Sequence, residues 1–94
     1  MKLEWSEAAR SDRKQIYDYI DANNPRAAIA VDERIRDSLE RLLDFPMSGR
    51  IGRVGGTREL VIDRTPYLAA YLVGDGTVRV LRLLHGAQEW PDDF

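Results

Sequence analysis

The chain has no cysteine and only one histidine among its 94 residues. Without cysteine it cannot form disulfides, thiol nucleophiles or cysteine-ligated zinc sites. The histidine, His85, has no cluster of acidic residues next to it, which argues against a metal-dependent hydrolase. We therefore expect no metal ion and no other cofactor.

Long apolar runs are also missing. No stretch approaches the roughly 20 residues that span a bilayer, and the N-terminal sequence MKLEWSEAAR lacks the apolar core of a signal peptide. These absences predict a cytoplasmic protein without a membrane partner. The length, with 44% hydrophobic and 32% charged residues, is typical of one globular domain covering residues 1–94.

The chain carries no strong excess of basic residues, since its formal net charge is −2 at pH 7. The charge is unevenly placed: residues 50–85 contain six arginines and three acidic residues, whereas residues 86–94 contain three acidic residues and no basic ones. Nucleic-acid-binding domains usually show a larger basic excess, so the charge does not predict such a partner. Arg50, Arg53 and Arg58 are candidates for a patch that binds an anion or a protein partner, unless they are plain solvated surface.

Two helices are predicted in the N-terminal half of the chain. Ser6 can cap the first, which covers about residues 7–22 and has one apolar side. Asn24 can cap the second, which begins at Pro25 and has apolar residues every three or four positions as far as about Leu43. The short connection between them makes the two helices an antiparallel hairpin.

Short segments rich in β-branched and aromatic residues predict the sheet. Residues 1–5 form a first strand, and the glycine-rich stretch DFPMSGRIGRVGG is a loop. Three further strands, TRELVI, YLAAYLV and TVRVLRLLH, cover residues 57–85, the last two joined by the tight turn GDG. The sequence predicts an α+β fold of order β-α-α-β-β-β, in which an antiparallel sheet carries the helical hairpin on one face. The helices and strands are expected to meet through these apolar residues: Ile16, Ile20, Ile35, Leu39, Leu42, Leu60, Ile62, Val80 and Leu84.

Three residues near the end of the chain could take part in catalysis or binding. Alternation places Arg82 on the same face of the last strand as Leu84, so we expect it either to extend its charged end into solvent or to pair with a carboxylate, for which Asp63 is a candidate. His85 is of the residue type best suited to acid–base catalysis near neutral pH, although a lone histidine at a strand end more often caps or packs. Trp90 is expected to plug the core rather than to act as a stacking platform.

Three segments, GTRELVI, YLAAYLV and VRVLRLLHGAQEWP, resemble the RelE/ParE superfamily of bacterial toxins from type II toxin–antitoxin systems. The resemblance covers essentially the whole chain and implies the fold of that superfamily. It also implies a toxin held inactive by a cognate antitoxin of the ParD or RelB type, in a toxin–antitoxin hetero-oligomer. The superfamily contains two activities: RelE-like members cleave mRNA in the ribosome, and ParE-like members inhibit DNA gyrase.

The resemblance favours the ParE-like branch. RelE-type nucleases have an arginine where this chain has Leu68, a basic residue where it has His85, and a tyrosine acid approximately where it has Trp90. Leucine cannot stabilise an anion and an indole is not a usable proton acid, so two of the three roles are missing or altered. We therefore predict a gyrase inhibitor that binds its partners through the arginines and Trp90.

Two alternatives remain open. A ribosome-dependent mRNA endonuclease could use His85 as acid or base, with Arg58 or Arg82 clamping the phosphate. A decayed toxin, acting as a non-toxic interaction module, would also lack the complete nuclease set. A small acidic reading frame overlapping the gene would support the toxin–antitoxin assignment.

Overall fold

The computed structural model describes all 94 residues and contains two α-helices and five β-strands. The α+β class and the predicted order of helices and strands are confirmed, with one additional short strand. Neither helix is long and apolar enough to cross a membrane. In chain order the elements are β1 (Lys2–Trp5), α1 (Glu7–Asp21), α2 (Pro25–Glu40), a 3-10 turn (Arg41–Leu43), β2 (Arg50–Ile51), β3 (Arg58–Val61), β4 (Tyr67–Gly74) and β5 (Thr77–His85).

Local sequence signals set the beginnings of both helices. The Ser6 hydroxyl accepts the backbone N–H of Ala9 at 3.0 Å, and the Asn24 side chain accepts that of Ala27 at 3.1 Å. Each bond satisfies one of the backbone donors that a helix leaves unpaired in its first turn. Pro25 follows at a position where its missing N–H costs nothing. The two predicted caps are therefore confirmed.

The five strands form one sheet in the order β1-β5-β4-β3-β2. Tight turns join β3, β4 and β5, so these neighbours are antiparallel, as predicted. β1 instead lies parallel to β5, from the pair Lys2 and Thr77 to the pair Trp5 and Val80. The sheet is therefore mixed, which corrects the expectation of an antiparallel sheet. No hairpin constrains the direction of β1 relative to β5, because both helices and the other three strands separate them in the chain.

β2 lies inside the stretch predicted to be a loop. Arg50 pairs with Glu59, and Ile51 pairs with Arg58, so two residues of the glycine-rich stretch extend the sheet beyond β3. A strand of two residues leaves no alternating pattern in the sequence, and the surrounding glycines conceal it.

A β-bulge changes which residues of β5 face the helices. Tyr71 on β4 pairs with Val80, but its neighbour Ala70 pairs with Arg82, so Leu81 is an extra residue on β5. Strict alternation along β5 therefore fails after Val80, and the side chains from Arg82 to His85 lie on the face opposite to the one predicted.

The helix-facing core is the predicted one with two exceptions. Seven of the nine predicted residues belong to it, five fully buried and two partly buried: Ile35, Leu39, Leu42, Ile62 and Val80, with Ile16 and Leu60 packed against them. Ile20 is outside this cluster. Leu84 is buried, but the bulge turns it to the opposite face beside Leu68, and Leu83 takes its place in the core.

Tyr71 is the largest fully buried side chain, and it fixes the loop that follows the helices. Its hydroxyl donates to the carbonyl oxygen of Pro46 at 2.8 Å and accepts the N–H of Gly49 at 2.9 Å. Burial raises the pKa of Tyr71, and the Gly49 N–H and nearby Arg58 reduce this rise without cancelling it. A Cβ on Gly49 would lie 2.5 Å from the hydroxyl oxygen, so glycine is required there. The loop is thereby held against the edge of the sheet.

Candidate functional site

Glu59 on β3 lies at the centre of the predicted arginine patch. Its side chain is only 2% exposed. The Arg50 guanidinium donates to one carboxylate oxygen at 2.9 Å, and Arg53 donates to the other through its backbone N–H at 2.8 Å and its guanidinium at 3.2 Å. We refer to Arg50, Arg53 and Glu59 as the Glu59 cluster. The sequence analysis missed Glu59, because nothing in the sequence shows that an acid on a half-covered strand is buried among arginines.

The hydrogen bonds of the Glu59 cluster keep its carboxylate charged. Burial alone favours the neutral form and raises the pKa of Glu59. The backbone N–H of Arg53 and the guanidinium groups of Arg50 and Arg53 lower it by more, and the pKa of Glu59 lies below its ordinary value. The cluster is therefore a buried anion compensated by two cations that reach it from the surface.

Arg58 does not belong to the Glu59 cluster, although it is the adjacent residue. Successive strand residues point to opposite faces, and Arg58 pairs with Tyr71, on the helix-facing side. Its guanidinium donates to the carbonyl oxygens of Gly49 at 2.8 Å and Met47 at 3.4 Å. The three arginines predicted as one patch thus lie at one edge of the sheet but on two faces.

Trp90 joins the Glu59 cluster from the C-terminal tail, residues 86–94. The guanidinium carbon of Arg53 lies 3.8 Å from the centroid of the Trp90 ring, which is a cation–π contact. The buried indole N–H has no acceptor. Trp90 does not enter the helix-facing core, and its stacking on Arg53 corrects the expectation of a core plug.

The tail lies on the face of the sheet turned away from the helices, which carries buried apolar residues. Three side chains of that face are 7%, 0% and 1% exposed, respectively Leu68, Ala70 and Leu84. At one end of this row, a Cβ on Gly86 would lie 3.6 Å from the side chain of Leu68. At the other end, Trp90 stacks on Arg53, which bonds Glu59 beside Ala70. The tail therefore contacts this face at Leu68 and at the Glu59 cluster, on either side of the buried residues, and we infer that it shields them.

His85, the candidate acid or base, makes several contacts at the end of β5. Its Nδ1 accepts the N–H of Ala87 at 3.0 Å, and its backbone N–H donates to the side-chain oxygen of Gln88 at 2.7 Å. The ring lies edge-on to that of Tyr67, with the centroids 5.5 Å apart. These contacts cap the strand and order the turn that follows it.

Arg82 is paired with Asp12 of α1, so the prediction of Asp63 as its partner is wrong. The guanidinium donates to both carboxylate oxygens of Asp12, at 2.7 and 3.1 Å, and this hydrogen bonding raises the pKa of Arg82. Asp12 also accepts the backbone N–H of Leu83 at 3.0 Å, beyond the point where β1 ends. Asp63 pairs with Arg64 instead, at 3.1 Å. Asp12 was not predicted, because only the packing of α1 along β5 brings it to this edge.

The structure does not bring the candidate nuclease residues together. The backbone of Arg82 pairs with Ala70 on the face away from the helices and its guanidinium is held by Asp12 at the edge of the sheet, whereas His85 pairs with Tyr67 on the helix-facing side. Arg58 pairs with Tyr71, four residues from Tyr67 on β4, which corresponds to about 13 Å along a strand. Leu68, which stands where the nuclease pattern has an arginine, is buried under the tail.

A separate groove lies elsewhere on the molecule. It has a volume of about 860 Å³ and is lined mainly by charged residues of α2 and of the turn after β3, among them Arg34, Asp37, Arg41 and Arg64. Charges of both signs line it, and none of the predicted catalytic or partner-binding residues contributes to it. The arginine-bearing edge and the tail therefore remain the candidate site.

The chain is similar over most of its length to known toxins. The family described as "ParE toxin of type II toxin-antitoxin system, parDE" matches residues 3–90. The candidate toxin Y4kP of Sinorhizobium fredii is 36% identical over 90 residues, which cover 96% of this chain and 93% of that protein. Toxin RelE2 of Caulobacter vibrioides is 34% identical over 84 residues, which cover 89% of this chain and 93% of that protein.

The similarity extends to three-dimensional structure. A chain of the chromosomal ParDE TA system from P. aeruginosa has a TM-score of 0.82 and 27% sequence identity, covering 90% of this chain and 95% of that one. The family match includes both helices and, apart from Lys2 at the start of β1, all five strands, and it ends at Trp90. The resemblance read from three sequence segments therefore holds for the whole fold.

Proposed function

Because the chain belongs to the ParE toxin family of type II toxin–antitoxin systems, we propose that it stops growth by binding DNA gyrase in the cytoplasm and that a cognate antitoxin neutralises it. The role as a toxin follows from the family. Gyrase as the target and the antitoxin as the neutralising partner are the proposal.

One observation carries the preference for gyrase over mRNA: the cations that a nuclease would use are already bonded within the protein. Cleavage by a 2′-hydroxyl needs cations to stabilise the charged phosphorane and a general acid for the leaving oxygen. Both oxygens of Asp12 bind Arg82, and a carboxylate at that position would repel a phosphate. Two backbone carbonyls bind Arg58. These groups support a structural role better than a catalytic one.

A binding inhibitor needs a surface rather than a poised acid. Arg50 and Arg53 keep 57% and 47% of their side chains exposed, although both bond Glu59. The buried carboxylate holds the two guanidinium groups in place, which reduces the side-chain entropy that binding would cost. With Arg58 and Trp90 they form the partner-binding surface that we propose.

An mRNA endonuclease is the second candidate, and a specific observation favours it. Nδ1 of His85 accepts the N–H of Ala87, so the proton of the neutral ring lies on Nε2. Nε2 makes no hydrogen bond to the protein, so it is the ring nitrogen through which a nuclease would act. This mechanism would need cations from the ribosome, because Arg58 and Arg82 are engaged.

The test measures both activities of the same protein. The protein is induced alone in cells, mRNA ends are mapped, and the purified protein is added to gyrase in a supercoiling assay. We expect inhibited supercoiling and intact mRNA. Ribosome-dependent mRNA breaks with normal supercoiling would overturn the proposal in favour of the nuclease. The absence of both effects would identify a decayed, non-toxic module.

A further inference from the structure

The strand β1 has no partner on its outer side. It is the first strand in the order β1-β5-β4-β3-β2, so only β5 lies beside it. The N–H of Lys2 donates to the carbonyl oxygen of Gly76 at 2.8 Å, toward β5. Adjacent residues of a strand direct their backbone groups to opposite sides, so the N–H and carbonyl groups of Leu3 and Trp5 point to the open edge. These groups can pair with another strand.

The side chains of β1 separate into an apolar set and a charged set. Leu3 and Trp5 pack against the core beneath the helices. Lys2 and Glu4 lie on the other face of the sheet, where both are exposed. Glu4 forms an ion pair with Arg79 at 3.4 Å, in which both side chains remain about half exposed. The open edge thus carries one cation and one anion, two residues apart on the same face.

This spacing makes β1 complementary to a second copy of itself. Two copies of β1 can run antiparallel about a two-fold axis at Leu3, where the two Leu3 residues exchange both backbone hydrogen bonds. Lys2 of each copy then lies opposite Glu4 of the other, which gives two ion pairs on one face. Moving the axis by one residue would instead place Lys2 against Lys2 or Glu4 against Glu4. Charges on an edge strand usually prevent pairing, but here they permit one register.

The apolar side chains match in the same register. Met1 directly precedes β1 and is 55% exposed, and the axis at Leu3 places it opposite Trp5 of the other copy. Trp5 lines a groove of about 480 Å³ together with Arg13 and Tyr17. The Met1 side chain of the second copy would reach this groove, where a thioether next to an aromatic ring is favourable. One contact therefore accounts for both the exposed methionine and the open groove beside Trp5.

We propose that the protein forms a homodimer through β1, in which the two five-stranded sheets join into one sheet of ten strands. β2 lies at the opposite edge of each sheet, so the Glu59 cluster of each copy stays uncovered at one end of the dimer. Two copies of the candidate site on one molecule would raise its avidity for a target with repeated or symmetric sites. The inference does not depend on which target or neutralising partner the protein has.

Charge reversal tests this register in the full-length protein with its native N-terminus. Analytical ultracentrifugation gives the dissociation constant of the dimer, which should be on the order of 10 μM for so small an interface. Lys2→Glu opposes glutamates to glutamates, and Glu4→Lys opposes lysines to lysines. Each variant alone should therefore raise the dissociation constant at least about tenfold. Mixing the two variants restores both ion pairs in a heterodimer, so the mixture should associate as tightly as the unmodified protein.

Arg26→Glu is the matched control, because it makes the same change of charge at an exposed residue at the start of α2. It should change the dissociation constant by less than about twofold, and thermal unfolding curves should show that all the variants are folded. An unmodified protein that is still monomeric at about 1 mM would overturn the proposal. A dimer that both reversals leave intact, or a mixture of the two variants that stays monomeric, would also overturn it. Growth into species larger than a dimer would do the same, since a two-fold contact closes on itself.

Discussion

Glu59 connects three separate parts of the chain through one buried carboxylate. It bonds Arg50 on β2 and Arg53 in the following loop, and Arg53 in turn stacks on Trp90 of the tail. A buried ion pair adds little stability when compared with a well-packed apolar group, but removing one partner is costly because the others remain without a counter-charge. The Glu59 cluster is therefore sensitive to loss of its anion.

Replacing Glu59 with glutamine should destabilise the protein. The amide cannot neutralise the two guanidinium groups, so we expect Glu59→Gln to lower the free energy of unfolding at pH 7 by about 1–3 kcal/mol. Urea denaturation measures the change. Glu33→Gln removes an exposed acid from α2 and should alter the same quantity by less than about 0.5 kcal/mol. Equal effects of the two substitutions would contradict a special role for Glu59.

Glu59 should also make the stability of the protein depend on acid pH. The pKa of Glu59 is lowered in the folded state. Its contribution to the free energy of unfolding is therefore complete at pH values above the ordinary glutamate pKa of about 4.3. That contribution is lost as the pH falls through the lowered pKa. The stability difference between the unmodified protein and Glu59→Gln should be constant from about pH 7 to pH 5 and shrink below about pH 4. A difference unchanged at pH 2 would contradict the argument that the ionised Glu59 carboxylate is what stabilises the cluster.

His85 distinguishes the two proposed activities at the scale of one residue. For a gyrase inhibitor, His85→Ala should leave growth arrest on induction largely unchanged. For a nuclease that uses His85 as acid or base, the same change should cost about 10²–10⁴ in cleavage rate. Because the ring packs against Tyr67, a thermal unfolding curve must accompany the toxicity measurement. A folded but non-toxic His85→Ala protein would favour the nuclease.

Among the helices and strands, the features that are determined by nearby residues in the sequence were predictable. Both helices begin at side-chain caps that are visible in the sequence, and their apolar spacing identified most of the core. The direction of β1, the bulge at Leu81 and the strand β2 depend on pairing with distant segments. No local sequence pattern indicates such pairing. In addition, a single extra residue in a strand reverses the alternation from which the face of each side chain is predicted.

The candidate site was predictable to a smaller extent. The arginines were identified from their concentration in one segment, and the structure places them at one edge of the sheet. Their acceptors were not identified, since Glu59 and the Gly49 carbonyl are brought to them by strand pairing and by the loop after α2. Asp12, which bonds Arg82, lies 70 positions away from it in the chain. Tertiary packing thus decides which of the arginine side chains remain available to a partner or substrate.

Leu39 tests the packing of α2 against the sheet. It is fully buried in the helix-facing core, so Leu39→Ala should lower the free energy of unfolding by about 2–5 kcal/mol, the range for large-to-small changes in a core. Ile29→Ala on the same helix removes a half-exposed side chain and should cost less than about 1 kcal/mol. A loss below about half a kcal/mol for Leu39→Ala in denaturant melts would show that α2 does not pack as described.

At the scale of the whole molecule, the two faces of the sheet are covered by different parts of the chain. The helical hairpin packs on one face, where the core cluster lies, whereas the irregular tail crosses part of the other. The acidic residues of the tail, Glu89, Asp92 and Asp93, form no ion pairs within the chain, so the arginine segment does not hold the tail by salt bridges. The Gly86 N–H donates to the carbonyl oxygen of Pro66 at 2.8 Å, and Ala87 and Gln88 are hydrogen-bonded to His85. Beyond this turn, the stacking of Trp90 on Arg53 holds the tail.

Trp90 is therefore the residue on which shielding of the sheet face away from the helices depends. Trp90→Ala removes the cation–π contact and part of the cover over Leu68, Ala70 and Leu84, and we expect it to lower the free energy of unfolding by about 2–3 kcal/mol. Dye binding to exposed apolar surface should rise before global unfolding, since the helix-facing core is untouched. Phe94→Ala, at a 42% exposed residue of the same tail, should change the stability by less than about 1 kcal/mol. If Trp90→Ala matched Phe94→Ala in both measurements, the tail could not be what shields that face of the sheet.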